Sequence, residues 1–460
     1  MATLARRRRG VVLVLLGVCA LAAGACGLDI AASGERPPPP GVDAGPETSA
    51  ALPEAGPLTD AADAEVADSG LFPCDAAACV DEIAADYKHT CAAIRGAPPR
   101  CWGDNSDGQL GSGLLPDGGP DLDSSATPRV VAVSVPMSGV TVGGVPVGGY
   151  GYSCSRTAGG DVSCWGQDDL GQRGRPDGGA VVVSVPTPVS SIGDALDVQA
   201  GGGHTCARHG DGGLSCWGYD DYGQLGHLVA SYVDRTPTPV TLRAAVKRVT
   251  TGDSHTCVLL ADDAVDCWGL DSVGQLGRGG ATSLVPAPDP VTVPGVAGAI
   301  AVEAGYAHTC AVLNGGSVMC WGYDSNGQLG RGAVTLGGSS TSAAAVALPA
   351  AMSATAVCAG YHHSCALLTD GTVMCWGEND KGQLGSGTVS AGVVTPAESA
   401  TPLAVAGVTG ARAITCGGHH TCAIVENSQA VCWGANDVGQ LGAGIAPDTL
   451  PRPTPVPVAF

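Results

Sequence analysis

One short phrase, Cys-Trp-Gly, recurs seven times along the chain and contains every tryptophan of the protein. In each repeat a second cysteine lies ten residues before the cysteine of the phrase. Repeats of about 50–60 residues that consist of strands are typical of propellers, solenoids or arrays. The tryptophans, each interpreted as the core anchor of its unit, are Trp102, Trp165, Trp217, Trp268, Trp321, Trp376 and Trp433.

Turn-forming residues lie between the two cysteines of each pair, as in Asn314-Gly315-Gly316, and apolar residues alternate around them. This pattern favours a β-hairpin. A separation of ten around a short turn places the cysteines opposite each other, with Cα atoms about 4.5–5.5 Å apart, which a disulfide tolerates. Zinc sites use more closely spaced thiolates. We therefore predict one disulfide per repeat: Cys91–Cys101, Cys154–Cys164, Cys206–Cys216, Cys257–Cys267, Cys310–Cys320, Cys365–Cys375 and Cys422–Cys432.

Each hairpin follows a Val/Ala segment, and a proline-rich strand such as 237–240 lies further upstream. Four short strands per unit are the content of a propeller blade. Residues 80–86 have no proline-rich strand before them, and residues 453–458 form such a strand with no hairpin behind it. We therefore predict an all-β fold over residues 80–460, a seven-bladed β-propeller of four-stranded blades. We expect its ring to close through one blade that is shared by the two ends.

The N-terminal residues predict export. Residues 1–25 have the arginines and apolar run of a signal peptide, and the run is shorter than the roughly 20 residues that cross a bilayer as a helix. Ala23-Gly24-Ala25 before Cys26 resembles a bacterial lipobox, so Cys26 is the predicted lipidation site; simple cleavage after Ala25 is the alternative. Residues 26–79 contain this cysteine and a linker rich in proline, alanine and aspartate, which we expect to be disordered.

Charge and cysteine content restrict the function. The chain has 43 acidic and 22 basic residues, a net charge of −21, whereas nucleic-acid binding requires a basic surface. Twenty cysteines require metal or an oxidising compartment. We therefore expect no nucleic-acid partner, and a protein that is either a membrane-anchored lipoprotein, periplasmic or on the cell surface, or secreted. We expect the protein to contact the membrane only through the lipid attached to Cys26.

The phrase is followed in six repeats by Gly-Gln-Leu-Gly, and in the second by Gly171-Gln172-Arg173-Gly174. Together with a preceding Gly-x-x-His-Thr/Ser, it resembles the regulator of chromosome condensation repeat, here in an exported bacterial lipoprotein version. The resemblance covers about residues 80–460 and implies a seven-bladed propeller. It is a weak guide to function, because such propellers serve as exchange factors, enzyme inhibitors and binding platforms.

Histidine occurs two residues before the first hairpin cysteine in six repeats, and Tyr152 replaces it in the second. A catalytic histidine is expected at one asymmetric place, so we interpret this set as part of the hydrogen-bonding scaffold. Its members are His89, His204, His255, His308, His363 and His420.

Four further cysteines require an explanation. Cys358 and Cys416 lie in neighbouring repeats beside His362 and His419. A Cys358–Cys416 disulfide is the first interpretation, and two buried thiols or a Cys/His metal site near the channel are the alternatives. Cys74 and Cys79 are predicted to pair locally. Acidic turns such as 104–108 lack the ligand pattern of an EF-hand, so we predict neither a metal nor a cofactor.

No motif of a known catalytic site is present, and we predict that the protein is not an enzyme. The loops between repeats differ most, notably 114–127, 228–234, 333–345 and 388–399. The first contains Asp117, Asp121 and Asp123, which suit a basic patch on a partner. We therefore predict a monomeric, non-catalytic propeller that binds an unidentified protein through these loops at the cell envelope. The alternatives are a secreted enzyme inhibitor or enzyme that acts at one face, and a structural envelope component.

Overall fold

The computed structural model describes residues 79–460, except 134–135, 145–150, 179–180, 228–230, 334–337, 388, 391–392 and 395–396. The predicted signal peptide, the lipidation site Cys26 and the linker lie outside the described residues. Cys79 is disulfide-bonded, and its predicted partner Cys74 also lies outside them. Within the described ranges, no helix is long and apolar enough to span a membrane.

Seven antiparallel sheets, each of four strands, form the blades of a propeller. The innermost strands line the central channel. In chain order they are β1 (Val80–Ala85), β5 (Gly139–Gly143), β9 (Ala195–Ala200), β13 (Val246–Thr251), β17 (Ala299–Ala304), β21 (Ala354–Ala359) and β27 (Ala413–Cys416).

The two strands of each predicted hairpin follow. The second strands are β2 (His89–Ile94), β6 (Tyr152–Arg156), β10 (His204–His209), β14 (His255–Leu260), β18 (His308–Leu313), β22 (His363–Leu368) and β28 (His420–Val425). The third strands, which contain the tryptophans, are β3 (Arg100–Gly103), β7 (Asp161–Gln167), β11 (Leu214–Tyr219), β15 (Val265–Gly269), β19 (Val318–Tyr323), β23 (Val373–Glu378) and β29 (Gln429–Asn436).

The outermost strands complete the blades. They are β4 (Ser125–Val130), β8 (Val182–Gly193), β12 (Val233–Pro239), β16 (Val291–Thr292), β20 (Ser339–Ala345), β26 (Glu398–Ala404) and β30 (Asp448–Pro457). A short pair, β24 (Val389–Ser390) and β25 (Val393–Val394), and a 3₁₀ turn, Glu426–Ser428, lie outside this pattern.

The prediction that one blade is shared by the two ends of the chain is wrong. Each blade is continuous in sequence: the first blade is β1 to β4 and the seventh is β27 to β30. The proline-rich strand pairs with the hairpin that precedes it, at the outer edge of the sheet. Proline lacks the N–H that an interior strand must donate, so an edge is where this strand is tolerated.

The ring closes through side chains between the seventh and first blades. Innermost strand β27 packs against β1, and Val80, Ile83 and Trp102 share a buried cluster with Ile424 and Leu441. Equivalent clusters fill the other six gaps between blades. The hydrophobic core is therefore divided into seven layers, each contributed by two adjacent blades.

Each tryptophan is fully buried and ties its blade to the preceding one. The indole Nε1 donates to the backbone carbonyl of the glutamine in the preceding Gly-Gln-Leu-Gly, at 2.8–2.9 Å. Trp102 makes this bond to Gln440 of the seventh blade, and Phe460 packs edge-on against its ring at 5.8 Å. The repeated glutamine segment therefore serves as the docking point for the next blade.

The hairpin disulfides are confirmed in all seven blades. The two cysteines of each pair face each other across the second and third strands, as Cys310 does with Cys320. Their Cα atoms are 4.0–4.2 Å apart, closer than the spacing expected from strand geometry. The sequence spacing thus predicts the local register correctly.

Candidate functional site

The turns between the innermost and second strands, which we call the central turns, converge at one mouth of the channel. The third strands end at the same face, because neighbouring strands are antiparallel. Glu378 N–H, for example, donates to His362 O at 2.8 Å, and Asp104 N–H donates to Lys88 O at 3.0 Å. The variable loops that connect the third and fourth strands therefore share this face with the central turns, and we call it the turn face.

The channel itself is a narrow cavity of about 260 Å³. Glu82, Arg248 and Glu303 are among the residues that line it. Burial raises the pKa of Glu82 and of Glu303 to about 7 in each case, with Asp197 adding repulsion and Arg248 partly offsetting it. The cavity therefore holds carboxyl groups that take up protons near neutral pH.

Three tyrosines form an aromatic cluster at the turn-face mouth. Tyr361 lies at its centre, with ring centroids 4.2 Å from Tyr306 and 6.5 Å from Tyr87. His362 and His419 extend the cluster, at 4.2 and 5.6 Å from the Tyr361 ring. All five residues belong to central turns of the fifth, sixth, seventh and first blades, so within the part of the chain that the structure describes the cluster occupies one side of the ring.

Gly418 makes room for this cluster. A Cβ atom at residue 418 would lie 2.7 Å from both Tyr87 Cδ2 and Tyr87 O. Since real Cβ atoms do not approach so closely, the turn of the seventh blade requires glycine there. The absence of a side chain lets Tyr87 approach Tyr361 across that blade.

His362 and His419 flank the carboxylate of Glu378. Glu378 Oε2 lies 3.1 Å from His419 Nδ1 and 3.9 Å from His362 Nδ1, and Gln383 Nε2 donates to it at 3.2 Å. Burial alone would raise the pKa of Glu378, but the two imidazoles outweigh it and lower the pKa well below its ordinary value. The Asp380 carboxylate lies beside this group. It is close enough to His419 and Glu378 for the three side chains to bind one common ion.

A second cavity of about 270 Å³ opens next to the cluster. Tyr87 and His419 border it, together with Lys88, Lys381 and Asp437. Lys88 Nζ donates to Asp437 Oδ2 at 3.0 Å. The aromatic cluster is thus continuous with this second cavity, which is lined by both positively and negatively charged side chains.

A disulfide joins Cys358 and Cys416, with Cα atoms 5.5 Å apart. It links innermost strands β21 and β27 of the sixth and seventh blades. These two strands lead directly into the central turns that hold His362 and His419. In the structure neither cysteine is a free thiol, so neither offers a thiolate to a metal.

The six repeated histidines form a different, structural set. All are buried, and burial lowers their pKa values to about 3 or 4, so they are neutral at pH 7. Each Nε2 lies 2.8–3.0 Å from a threonine or serine hydroxyl of the next blade. That hydroxyl donates to the same glutamine carbonyl that accepts a hydrogen bond from the tryptophan, at 2.8–3.2 Å.

In the second blade Tyr152 replaces the histidine and preserves the link between blades. Its hydroxyl donates to His204 O at 2.6 Å and lies 3.1 Å from Thr205 Oγ1, whose own proton is donated to Gln172 O at 2.7 Å. The repeated histidine position is therefore occupied by groups that connect neighbouring blades.

The three predicted partner-binding aspartates lie on the turn face but differ in environment. Asp117 and Asp123 are exposed. Asp121 accepts from Arg129 and Ser112, each at 2.7 Å. Although burial opposes it, these hydrogen bonds lower the pKa of Asp121. Asp121 therefore stabilises the loop, whereas Asp117 and Asp123 are available to a partner.

Sequence reasoning missed the tyrosines and Glu378. Each stands at a variable position of the repeat: the tyrosines come two residues before the repeated histidine, and Glu378 follows Cys-Trp-Gly. Aligning the seven repeats shows that both positions vary between blades, with tyrosine in four repeats at the first and a carboxylate in two at the second. The repeats alone did not show that they meet at one mouth.

Comparison with known proteins agrees with this architecture. A family described as the RCC1-like domain matches residues 100–460. The ultraviolet-B receptor UVR8 of Arabidopsis thaliana is 28% identical over 380 residues, which cover 80% of this chain and 79% of UVR8. The human E3 ubiquitin-protein ligase HERC2 is 31% identical over 281 residues, 57% of this chain but only 5% of HERC2.

Among solved structures, Prp20p of Saccharomyces cerevisiae superposes with a TM-score of 0.66 at 21% identity. The match covers 78% of this chain and 85% of Prp20p, a protein whose structure was described with its binding properties to Gsp1p and histones. At this identity the likeness shows the propeller fold.

Proposed function

Because the chain belongs to the RCC1-like domain family, we propose that it is a non-catalytic propeller that binds another protein through its turn face. The observation that carries the proposal is that, among the described residues, the turn face brings together the variable loops and the aromatic cluster. Partner binding by Prp20p, which has also been solved in complex with Kap60, is consistent with a propeller used in this way.

Exposed apolar side chains on the turn face support the proposal. Leu284 and Val285 are 74% and 71% exposed in the loop before β16, and Tyr232 is 62% exposed before β12. Exposed apolar groups among polar neighbours favour protein interfaces, in which tyrosine is also enriched. The exposed Asp117 and Asp123 add negative charge at the rim, which suits a partner with a basic patch.

We also propose that the protein works outside the cytoplasm, anchored through lipid on Cys26. The disulfides support this, because such bonds persist in oxidising compartments. Mass spectrometry of the mature N-terminus tests it: diacylglyceryl modification of Cys26, abolished in Cys26→Ser, is the expected result. An unmodified N-terminus at residue 26 would replace anchoring with simple secretion.

The binding proposal is tested with the oxidised full chain immobilised against envelope and secreted extracts of its own cells. We expect a retained protein that is lost with Tyr306→Ala/Tyr361→Ala, or when loop 114–127 is replaced by a Gly/Ser linker. Met352→Ala is the matched control, because Met352 is 42% exposed before β21, on the opposite face.

Equal retention by all variants would contradict the turn-face assignment. Loss with Met352→Ala alone would move the interface to the other face.

A further inference from the structure

The asymmetric group at the turn face has the composition of a metal site. Ligand atoms of Glu378, Asp380 and His419 all lie within 4.8 Å of one another. We propose that these three side chains bind a divalent transition-metal ion of the zinc class, with His362 holding Glu378 in position. The site shares His362 and His419 with the aromatic cluster, but the proposal does not depend on the protein-binding role proposed above.

The distance between two of the three ligand atoms is close to that required by a shared ion. Zinc lies about 2.0–2.2 Å from imidazole nitrogen and carboxylate oxygen, so two ligand atoms of a tetrahedral site lie about 3.3–3.6 Å apart. His419 Nδ1 and Glu378 Oε2 are separated by 3.1 Å. His362 Nδ1, at 3.9 Å from the same oxygen, is placed to orient the carboxylate. Asp380 completes the set from two residues further along the chain.

The ligand environment is accessible to an ion. The side chains of Glu378 and His419 are 18% and 26% exposed, so they are shielded from bulk water without being sealed off. Three protein ligands leave a fourth position for water. Imidazole and carboxylate ligands together favour zinc over calcium or magnesium, which prefer oxygen ligands alone.

Comparison of the blades shows that this grouping is specific to one place. The backbone bond between Glu378 and His362 recurs in every blade, so the seven pairs of positions are equivalent. Only the sixth blade combines histidine at the first position with a carboxylate at the second, and the seventh blade adds His419 beside it. If Glu378, His362 and His419 had only a scaffold role, the same residue types would be expected in every blade.

The disulfide between Cys358 and Cys416 fixes the spacing of the two blades that supply the ligands. Cys358 is four residues before His362, and Cys416 is three residues before His419. It is the only described disulfide that crosses between blades. A covalent link at this one gap limits the relative movement of Glu378 and His419, which a metal site requires.

Substitution of Lys381 distinguishes a metal site from a purely structural cluster. Its Nζ donates to Asp380 Oδ2 at 2.6 Å and competes with a cation for that carboxylate. If Asp380 is a ligand, Lys381→Gln strengthens zinc binding by about two- to fivefold, as expected for removal of one exposed charge. A purely structural cluster predicts no change.

The experiment titrates Zn²⁺ into the oxidised, untagged full chain after chelator treatment, by calorimetry. Co²⁺ is the spectroscopic probe, because its visible absorption reports a tetrahedral site. We expect one tight site per chain that is weakened at least about 100-fold by Glu378→Gln or His419→Gln, and about 10- to 100-fold by His362→Gln.

His209→Gln is the matched control. His209 Nδ1 lies 2.7 Å from Asp194 Oδ1, a histidine–carboxylate pair with no third ligand within reach among the described residues. It should leave zinc binding unchanged. Unaltered far-ultraviolet circular dichroism and tryptophan fluorescence establish that each variant is folded.

Absence of saturable zinc binding by the folded protein would overturn the proposal. So would a site whose affinity is the same in Glu378→Gln, His419→Gln and the parent chain, since the ion would then bind elsewhere.

Discussion

The chain of hydrogen bonds between blades predicts a specific cost for removing one hydroxyl. Thr309 is fully buried; its hydroxyl donates to Gln275 O at 3.0 Å and lies 3.0 Å from His255 Nε2. Since the hydroxyl proton is used on the carbonyl, His255 must donate its own Nε2 proton to Thr309. Thr309→Val removes both bonds at nearly constant shape.

The two losses differ in size. Gln275 O keeps the hydrogen bond from Trp321 Nε1 at 2.9 Å. Loss of the threonine hydrogen bond to this carbonyl therefore lowers the free energy of unfolding by about 0.5–1.5 kcal/mol. His255 Nε2–H is left buried without a partner, at about 1–3 kcal/mol. We therefore expect Thr309→Val to lower the free energy of unfolding by about 2–4 kcal/mol.

Guanidinium denaturation without reductant measures this loss, with the seven buried tryptophans as the fluorescent probe. Thr401→Val is the matched control, because Thr401 is exposed, and we expect a change within about 0.5 kcal/mol. The double variant His255→Leu/Thr309→Val should cost less than the sum of the single variants, since it leaves no orphaned donor. Additive losses, or a loss for Thr309→Val as small as that of the control, would refute the proposed hydrogen-bond chain.

Three further changes follow from buried charge and covalent links. Arg173, fully buried with its guanidinium 3.3 Å from Asp168, takes the place of leucine in the repeat. The double variant Asp168→Asn/Arg173→Leu replaces both buried charges with the residues of the first repeat, Asn105 and Leu110. It should be neutral or stabilising by up to about 3 kcal/mol, and a large loss on denaturation would contradict this. Burial raises the pKa of Glu303 to about 7, above its unfolded value of 4.5, so this carboxyl contributes stability below pH 4.5 that is lost as pH rises through 7. Glu303→Gln should therefore match the parent at pH 4.5 and exceed it by about 1–3 kcal/mol at pH 8, and an equal difference at both pH values would exclude the titration. Cys358→Ser/Cys416→Ser opens a loop with a sequence separation of 58 and should cost about 4 kcal/mol, more than the roughly 3 kcal/mol for one hairpin pair; the ranking of denaturation midpoints checks it.

The local structure of each blade could be predicted from sequence because it depends on short spacings. Ten residues between Cys310 and Cys320, with a glycine turn between them, determine the hairpin and its register. The outermost strand could not be assigned in the same way. A proline-rich segment lies between two hairpins in sequence, and only its position at a sheet edge decides that it belongs to the earlier one.

The sequence by itself determined the repeat, the number of blades, the hairpin disulfides and the acidic charge, because each is set within about a dozen residues or by composition. The tertiary structure decided which residues meet. Tyr87 and Tyr361 are far apart in the chain, and Glu378 lies beside His419 only because the ring brings successive central turns to one mouth. Closure of the ring, through Trp102 and Gln440, positions the first turn against the last. No local spacing encodes that geometry, since it arises from the angle accumulated over seven packed blades.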